Sequence, residues 1–386
     1  MIVAALTLAV MFVAATLPTP LYPLYRHAFG FGTITLALIY ASYVLGNLLA
    51  LLAFGRLSDQ IGRRRALFPA IGFAFVSTLV FAFAANVAWL MVARSLSGFA
   101  TGIASGALTA WIAELMGPDR KSAATSWAAA ANFIGLAVGP LLAGLLAQLA
   151  PWPLQLPYFV YLPVLLAIAL ALAPARETVS KPVRDVRQLS LRPRFGLPRE
   201  IRAPFVSPAV TGFATFALVG FYAALIPNLL AQSMHLTAPI DAAGVVFVLF
   251  VVAAGATAAT VHLPPRRALL VGLGLLVPSV GALLAAQLNS SLSVLLVATV
   301  LGGVSAALGY RGSLQIINQI APQERRSEVV STYLIAVYSG NALPVIGVGL
   351  LSAALGSVTA NATFAGVITV LGMLAWVVGY KYIPRR

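Results

Sequence analysis

The chain has no cysteine, three histidines and nine acidic residues in 386 positions. Without cysteine, disulfides, thiolate metal sites and thiol catalysis are excluded. His27, His235 and His262 lie far apart in sequence, which argues against a histidine metal cluster. No metal and no cofactor is expected. Charged residues make up 9% of the chain against 61% hydrophobic, where soluble proteins carry about a quarter charged residues. A water-facing surface cannot be built from that supply. No Gly-x-x-x-x-Gly-Lys-Ser/Thr loop is present, so nothing points to nucleotide hydrolysis. Nor does any apolar stretch hold a nucleophile with a base, or paired carboxylates or histidines, so an enzyme is not expected.

What the chain has instead is long, continuous apolar runs. A lipid-spanning helix takes about 20 such residues, and a membrane barrel would need alternating strands, which are absent. The runs predict an all-α membrane protein with about twelve spans. They fall at 2–24, 33–54, 66–86, 88–115, 123–149, 157–174, 205–231, 241–262, 268–287, 292–320, 328–352 and 358–380. The net charge of +15 would suggest nucleic acid on a soluble domain, but its placement argues otherwise. Numbering the connections alternately, one side holds nearly all the arginines and lysines, and the other holds only Arg26. Basic loops stay in the cytoplasm, which predicts a multi-pass protein of the cell membrane with both termini cytoplasmic. Its partner is then the lipid bilayer and no nucleic acid. The first apolar stretch lacks a basic leader and a small-residue cleavage site, and it reads as helix 1 rather than a signal peptide.

Residues 175–204 break the apolar pattern with Arg, Lys and Pro. They read as a basic cytoplasmic linker between two six-helix bundles, 1–174 and 205–386. The halves resemble each other. Arg64-Arg65-Ala66-Leu67 returns as Arg266-Arg267-Ala268-Leu269, and Arg120-Lys121-Ser122 returns as Arg325-Arg326-Ser327. Leu90, Val92, Ala93, Leu96 and Gly98 return in order as Leu295, Val297, Ala298, Leu301 and Gly303. Parallel repeats around a central cavity are a recurring plan for moving solutes by rocking one half against the other.

The connection after span 2 reads Gly55-Arg56-Leu57-Ser58-Asp59-Gln60-Ile61-Gly62-Arg63-Arg64-Arg65. Glycines there permit a tight turn, and Asp59 can cap a helix or pair with an arginine. This stretch resembles the signature loop of the major facilitator superfamily: Gly, three residues, an acid, two residues, then Gly-Arg-Arg. The resemblance covers nearly the whole chain, including helix count, duplication and linker. It implies that Gly55, Asp59, Gly62, Arg63 and Arg64 form a cytoplasmic gate; Glu114, near the end of span 4, is expected to brace it by pairing with Arg120 or Arg326. The second-half copy, His262-Leu263-Pro264-Pro265-Arg266-Arg267, has lost the acid and the glycines, so any latch is asymmetric. Span 5 carries Gly135, Gly139, Pro140 and Gly144, similar to the Gly-x-x-x-Gly-Pro motif of the family's antiporters, most of them exporters; the motif's earlier glycine is here Trp127. General helix packing explains the same glycines.

Two arginines, Arg94 and Arg311, fall inside spans, where a charge normally faces a cavity or a partner. Snorkelling to an interface is the alternative for each. The acids Asp59, Glu114, Asp119, Glu177, Asp185, Glu200, Asp241, Glu324 and Glu328 all fall in loops or near span ends. A cationic solute would need a buried carboxylate, so it is disfavoured. A coupling proton or ion would need a titrating group between the two faces, and Glu114 and Asp241 are the nearest. Asn47, Asn132 and Tyr222 join the two arginines as cavity candidates, as do Tyr310, Gln315, Tyr338 and Asn341; interhelical bonding is the alternative for each. Together these features predict a monomeric secondary transporter working by alternating access. The solute is expected to be a small amphipathic neutral or anionic compound, exported by antiport. An importer of an organic anion or nutrient, or a non-transporting sensor or lipid-translocating relative, would use the same fold.

Overall fold

A computed structural model describes residues 1–54, 57–117, 120–179 and 195–382. Gly55 and residues 180–194 of the linker lie outside the described residues. The first half of the chain forms α1 (Ile2–Thr16), α2 (Tyr22–Phe29), α3 (Thr33–Phe54), α4 (Leu57–Ile61), α5 (Arg63–Ala82), α6 (Val87–Met116), α7 (Lys121–Leu149) and α8 (Leu156–Leu172). The second forms α9 (Arg202–Ser233), α10 (Pro239–Ala259), α11 (Pro265–Leu288), α12 (Leu292–Ile320), α13 (Arg326–Leu355) and α14 (Ser357–Tyr382). Among the described residues, 11 helical segments are long and apolar enough to cross a membrane, α1 and α2 counting as one. α8 is a further apolar helix of 17 residues, long enough at about 1.5 Å per residue to approach the thickness of a hydrocarbon core. The result is the expected all-α membrane protein. Leu149, Leu170 and Val297 stand 78%, 66% and 58% exposed, a surface suited to lipid and not to water.

Span 1 was expected as one helix and is not. Pro18 has no N–H to give the carbonyl of Ala14, and Pro20 none for Thr16. α1 therefore stops at Thr16, a 3-10 turn covers Thr19–Leu21, and α2 begins at Tyr22. Span 3 is also displaced. α5 begins at Arg63, so three arginines expected in the connection occupy its first turn. It ends at Ala82, before Asn86, whose side chain caps α6 by accepting from the Trp89 N–H.

The chain separates into two compact units. One is Met1–Phe31 with Ser42–Pro193, the other Gly32–Ala41 with Arg194–Arg386. The first half of α3 thus belongs to the unit of the chain's second half. There the Tyr40 hydroxyl donates to Asn341 Oδ1 at 2.9 Å. The sequence repeat is matched by a repeated hydrogen bond: Ser77 donates to the carbonyl of Ala93 (2.7 Å), and Ser279 donates to that of Ala298 (2.9 Å). Each ties the third helix of its half to the fourth.

In the first unit α1 lies against α7. Gly135 and Gly139 make that approach possible. A Cβ at position 139 would stand 2.5 Å from the Val13 carbonyl oxygen and 2.6 Å from Thr16 Oγ1. Pro140 has no N–H for the carbonyl of Leu136, and the Thr16 hydroxyl supplies the missing donor at 2.9 Å. Gly144 is buried on the same helix. Trp127, in place of the motif's earlier glycine, points outward and is 52% exposed, so its bulk does not disturb the seam. Gly139→Val should therefore cost about 2–3 kcal/mol through overpacking against backbone. Thermal unfolding in detergent should show a clear fall in Tm, whereas Gly72→Val, with nothing within 4 Å of its added Cβ, should leave Tm nearly unchanged.

Candidate functional site

Three clusters of polar and aromatic groups stand out, two in the first unit and one in the second. The first is where α3 and α6 end and α5 begins. Gly62 turns the chain there with φ +108, a conformation that favours glycine. Arg63, only 9% exposed, then meets three side chains. Its guanidinium pairs with Asp59 one helical turn earlier, and Nη2 donates to Glu114 Oε1 at 2.6 Å. Nη1 donates to Ser58 Oγ at 2.8 Å. Glu114 therefore braces Arg63, not Arg120 or Arg326 as expected. The last turn of α6 faces the first turn of α5, not its own following loop.

A fourth group at this cluster was not assigned to it from the sequence. The Glu177 carboxylate accepts from the backbone N–H of Arg63 (2.9 Å) and of Arg64 (3.1 Å). It caps α5 across more than a hundred residues, at the positive end of the helix dipole. Arg64 Nη1 returns the tie by donating to the carbonyl of Ala173 at 2.7 Å. Trp111, buried on α6, donates to the carbonyl of Arg176 at 3.2 Å. Gly62 serves again, because a Cβ there would meet the Glu177 carboxylate. Asp59 thus pairs and does not cap. Reading 175–204 as a basic tether hid Glu177; its one available signal was an isolated acid right after span 6. Glu177→Ala should lose about 1 kcal/mol of local helix stability, so the amides of Arg63 and Arg64 should exchange with deuterium roughly fivefold faster.

The second cluster surrounds Arg94, which is 0% exposed on α6. The break at Pro18 leaves carbonyls at the end of α1 without helical donors. Arg94 Nη1 donates to that of Ala15 at 2.7 Å, and Ser97 Oγ reaches that of Ala14 at 3.5 Å. The guanidinium also lies over the Tyr43 ring, 4.4 Å from its centroid. Asn47, 0% exposed, donates to the Tyr43 hydroxyl at 3.4 Å, while its Oδ1 is buried without a donor. Arg94 therefore does not snorkel. Tyr43 was absent from the residues singled out in sequence, although its position one turn before Asn47 places both on one face.

In the second unit, Phe216 of α9 packs on Tyr310 of α12 at 5.0 Å and on Tyr338 of α13 at 6.2 Å. Tyr310 and Tyr338 are half-buried. Phe216 was not foreseen. Tyr222 is fully buried and accepts from Thr299 Oγ1 at 3.1 Å, an interhelical bond between α9 and α12. Asn341 is taken up by Tyr40, as described above. Asn132 is half-buried on α7. Gln315 and Arg311 lie on α12, close to the turn between α10 and α11, where Arg311 Nη2 donates to the Leu263 carbonyl at 2.9 Å. Among the described residues no group of three or more His, Cys, Asp or Glu could hold a metal ion.

Within each unit the basic residues gather at one end. Arg63 and Arg64 meet residues 173–177 in the first unit. In the second, Arg266 donates to the carbonyl of Tyr380, and Gly196 bonds to Thr332 beside Arg325 and Glu328.

The family profile of the Major Facilitator Superfamily matches residues 4–284. The mouse "Solute carrier family 2, facilitated glucose transporter member 10" is 34% identical over 127 residues, 32% of this chain and 23% of that protein. A "Multi-drug resistance efflux pump PmrA homolog" of Lactococcus lactis is 34% identical over 161 residues, 40% of this chain and 38% of that protein. The chain thus spans well under half the length of these relatives. Among solved structures, a D-xylose-proton symporter superposes with TM-score 0.79 over 99% of this chain and 97% of that one, at 15% identity, a likeness of fold alone. The profile match, the helical architecture and the Gly62–Arg63–Asp59 turn converge on one conclusion: this chain belongs to the Major Facilitator Superfamily, a family of membrane transporters, and is a multi-pass membrane protein.

Proposed function

We propose that this transporter exports small amphipathic neutral or anionic solutes by alternating access, with both chain ends in the cytoplasm. The observation that carries the charge preference is Arg94, a fully buried cation held by a carbonyl and an aromatic face. The acids of the chain lie in loops or near helix ends, so a cationic solute would find no carboxylate at depth. Asn47, Asn132, Tyr310 and Tyr338 are the polar and aromatic groups assigned to the solute path, with Phe216 added. Tyr222 and Asn341 are assigned to holding helices together. The basic end is read as cytoplasmic, since basic connections stay inside. Asp59, Gly62, Arg63, Arg64 and Glu114, together with Glu177, then form the inner gate.

Export is supported by the Gly135–Gly139–Pro140 seam, which resembles that of the family's antiporters, and by likeness to a protein named as an efflux pump. The opposite direction has its own support in likeness to proteins named as a glucose transporter and a xylose-proton symporter. A thermal-shift panel of anionic, neutral and cationic amphiphiles on the purified protein tests the charge preference. Stabilisation by anionic or neutral compounds is expected, and preferential stabilisation by permanent cations would overturn it. The best stabiliser then tests direction: uptake into inside-out vesicles supports export, and uptake confined to whole cells supports import.

A further inference from the structure

Arg311 is 7% exposed, and among the described residues no ion pair to it is present. Among the described residues the ion pairs are Arg63–Asp59, Arg63–Glu114 and Arg325–Glu328. Its Nη2 is satisfied by the Leu263 carbonyl, but Nε and Nη1 are buried without an acceptor. One helical turn further on, Gln315 Oε1 is buried without a donor. Residues four apart share one face of a helix. Two unmet donors of a cation thus lie on the same face as an unmet acceptor. Leaving such groups covered and unanswered is costly, the more so for a charge.

The depth of this pair is set by its neighbours. Leu263 belongs to the turn between α10 and α11, and a Cβ at Gly312 would stand 2.7 Å from the carbonyl of Pro265, the first residue of α11. Arg311 is therefore level with the place where two helices leave the membrane at the basic end. α12 continues to Ile320, projecting about 13 Å past that level. With α10 and α11 read as membrane spans, that level is expected at the lipid phosphates and not at the bilayer centre. The contrast with the first unit sharpens the point. There Arg63 at the start of α5 is answered by Asp59 and Glu114, whereas the matching stretch before α11, His262 to Arg267, carries no acid.

We infer that Arg311 and Gln315 form a binding site for a phosphate group that also carries a hydroxyl donor, at the basic end of the second unit. The planar guanidinium fork suits two phosphoryl oxygens. Gln315 Oε1 would accept from the hydroxyl. Phosphatidylglycerol has both features, a phosphodiester and a glycerol hydroxyl, and so does the hydrogen phosphate ion; phosphatidylcholine has no hydroxyl to give. Arg311 keeps 7% exposure, and binding requires a rotamer change that brings Nε and Nη1 out of burial.

The test uses the full chain in detergent, as wild type and as Arg311→Gln, Arg311→Lys, Gln315→Leu and Arg267→Gln. Native mass spectrometry counts retained phosphatidylglycerol against phosphatidylcholine, and thermal shift reads the response to inorganic phosphate. Wild type should retain phosphatidylglycerol roughly tenfold over phosphatidylcholine, as expected for a charge-assisted bidentate contact. Arg311→Gln should abolish that preference, Gln315→Leu should reduce it, and Arg311→Lys should keep part of it. Arg267→Gln, an exposed neighbour, should change little. An Arg311-dependent response to inorganic phosphate without lipid retention would assign the site to the free anion. If Arg311→Gln does not fold, Gln315→Leu and Arg311→Lys decide. Equal lipid retention and equal phosphate response across all variants would leave Arg311 answered by water alone and end the proposal.

Discussion

Arg63→Gln is expected to lower transport at least tenfold while costing only a few degrees of Tm. The guanidinium sits between Asp59 and Glu114, and it is the cation that holds their two carboxylates together. Its own side chain is 11% exposed, but Asp59 is 52% and Glu114 36% exposed. Solvent screening therefore keeps the loss of stability near ~1–2 kcal/mol, below the 3–5 kcal/mol typical of a fully buried pair. The transport loss is larger because removing the cation leaves the like charges of α4 and α6 facing each other at the start of α5. A gate that repels itself cannot close. Adding Glu114→Gln to Arg63→Gln should recover the Tm, since the repulsion is gone, but not the transport, since the clasp is still missing. Recovery of both would reduce this cluster to an orientation signal.

Arg94→Met should do the reverse: it should abolish transport, by about a hundredfold or more, while leaving Tm unchanged or slightly higher. Holding a cation away from water is costly, and an apolar side chain of similar volume avoids that cost. Arg94 fits that case, being wholly buried beside Tyr43 and bonded to the Ala15 carbonyl. It fixes α6 to the broken end of α1, so any rearrangement of that break must involve it. Arg94→Lys keeps the charge but not the fork, and transport should fall to an intermediate level. A wild-type rate in Arg94→Met, measured in proteoliposomes, would make the residue a packing element only.

The parts of this protein governed by hydropathy were legible in its sequence. The apolar runs and the helical class they imply depend on composition along a single helix. Interactions between distant segments were not. The first half of α3 joins the unit of the second half through Tyr40 and Asn341, and nothing in its apolar pattern names a partner. The break in span 1 was readable from Pro18 and Pro20, yet continuous hydrophobicity masked it. Asp59 and Arg63 are four apart on adjoining helical turns, so their pairing follows from spacing. Glu177 reaches the same place from a segment whose basic composition suggested a free tether. Arg311 shows the limit of counting residues for depth: α12 outruns the α10–α11 turn, and only the neighbours of Gly312 show that Arg311 is level with that turn.

The most direct measurement is counterflow in proteoliposomes, using the solute that most stabilises the purified protein. Vesicles loaded with unlabelled solute should transiently accumulate the labelled form from outside, and Arg63→Gln vesicles should do so at least tenfold more slowly. Saturable binding with no transient accumulation would contradict the account, because a site that binds yet never opens to both sides does not transport.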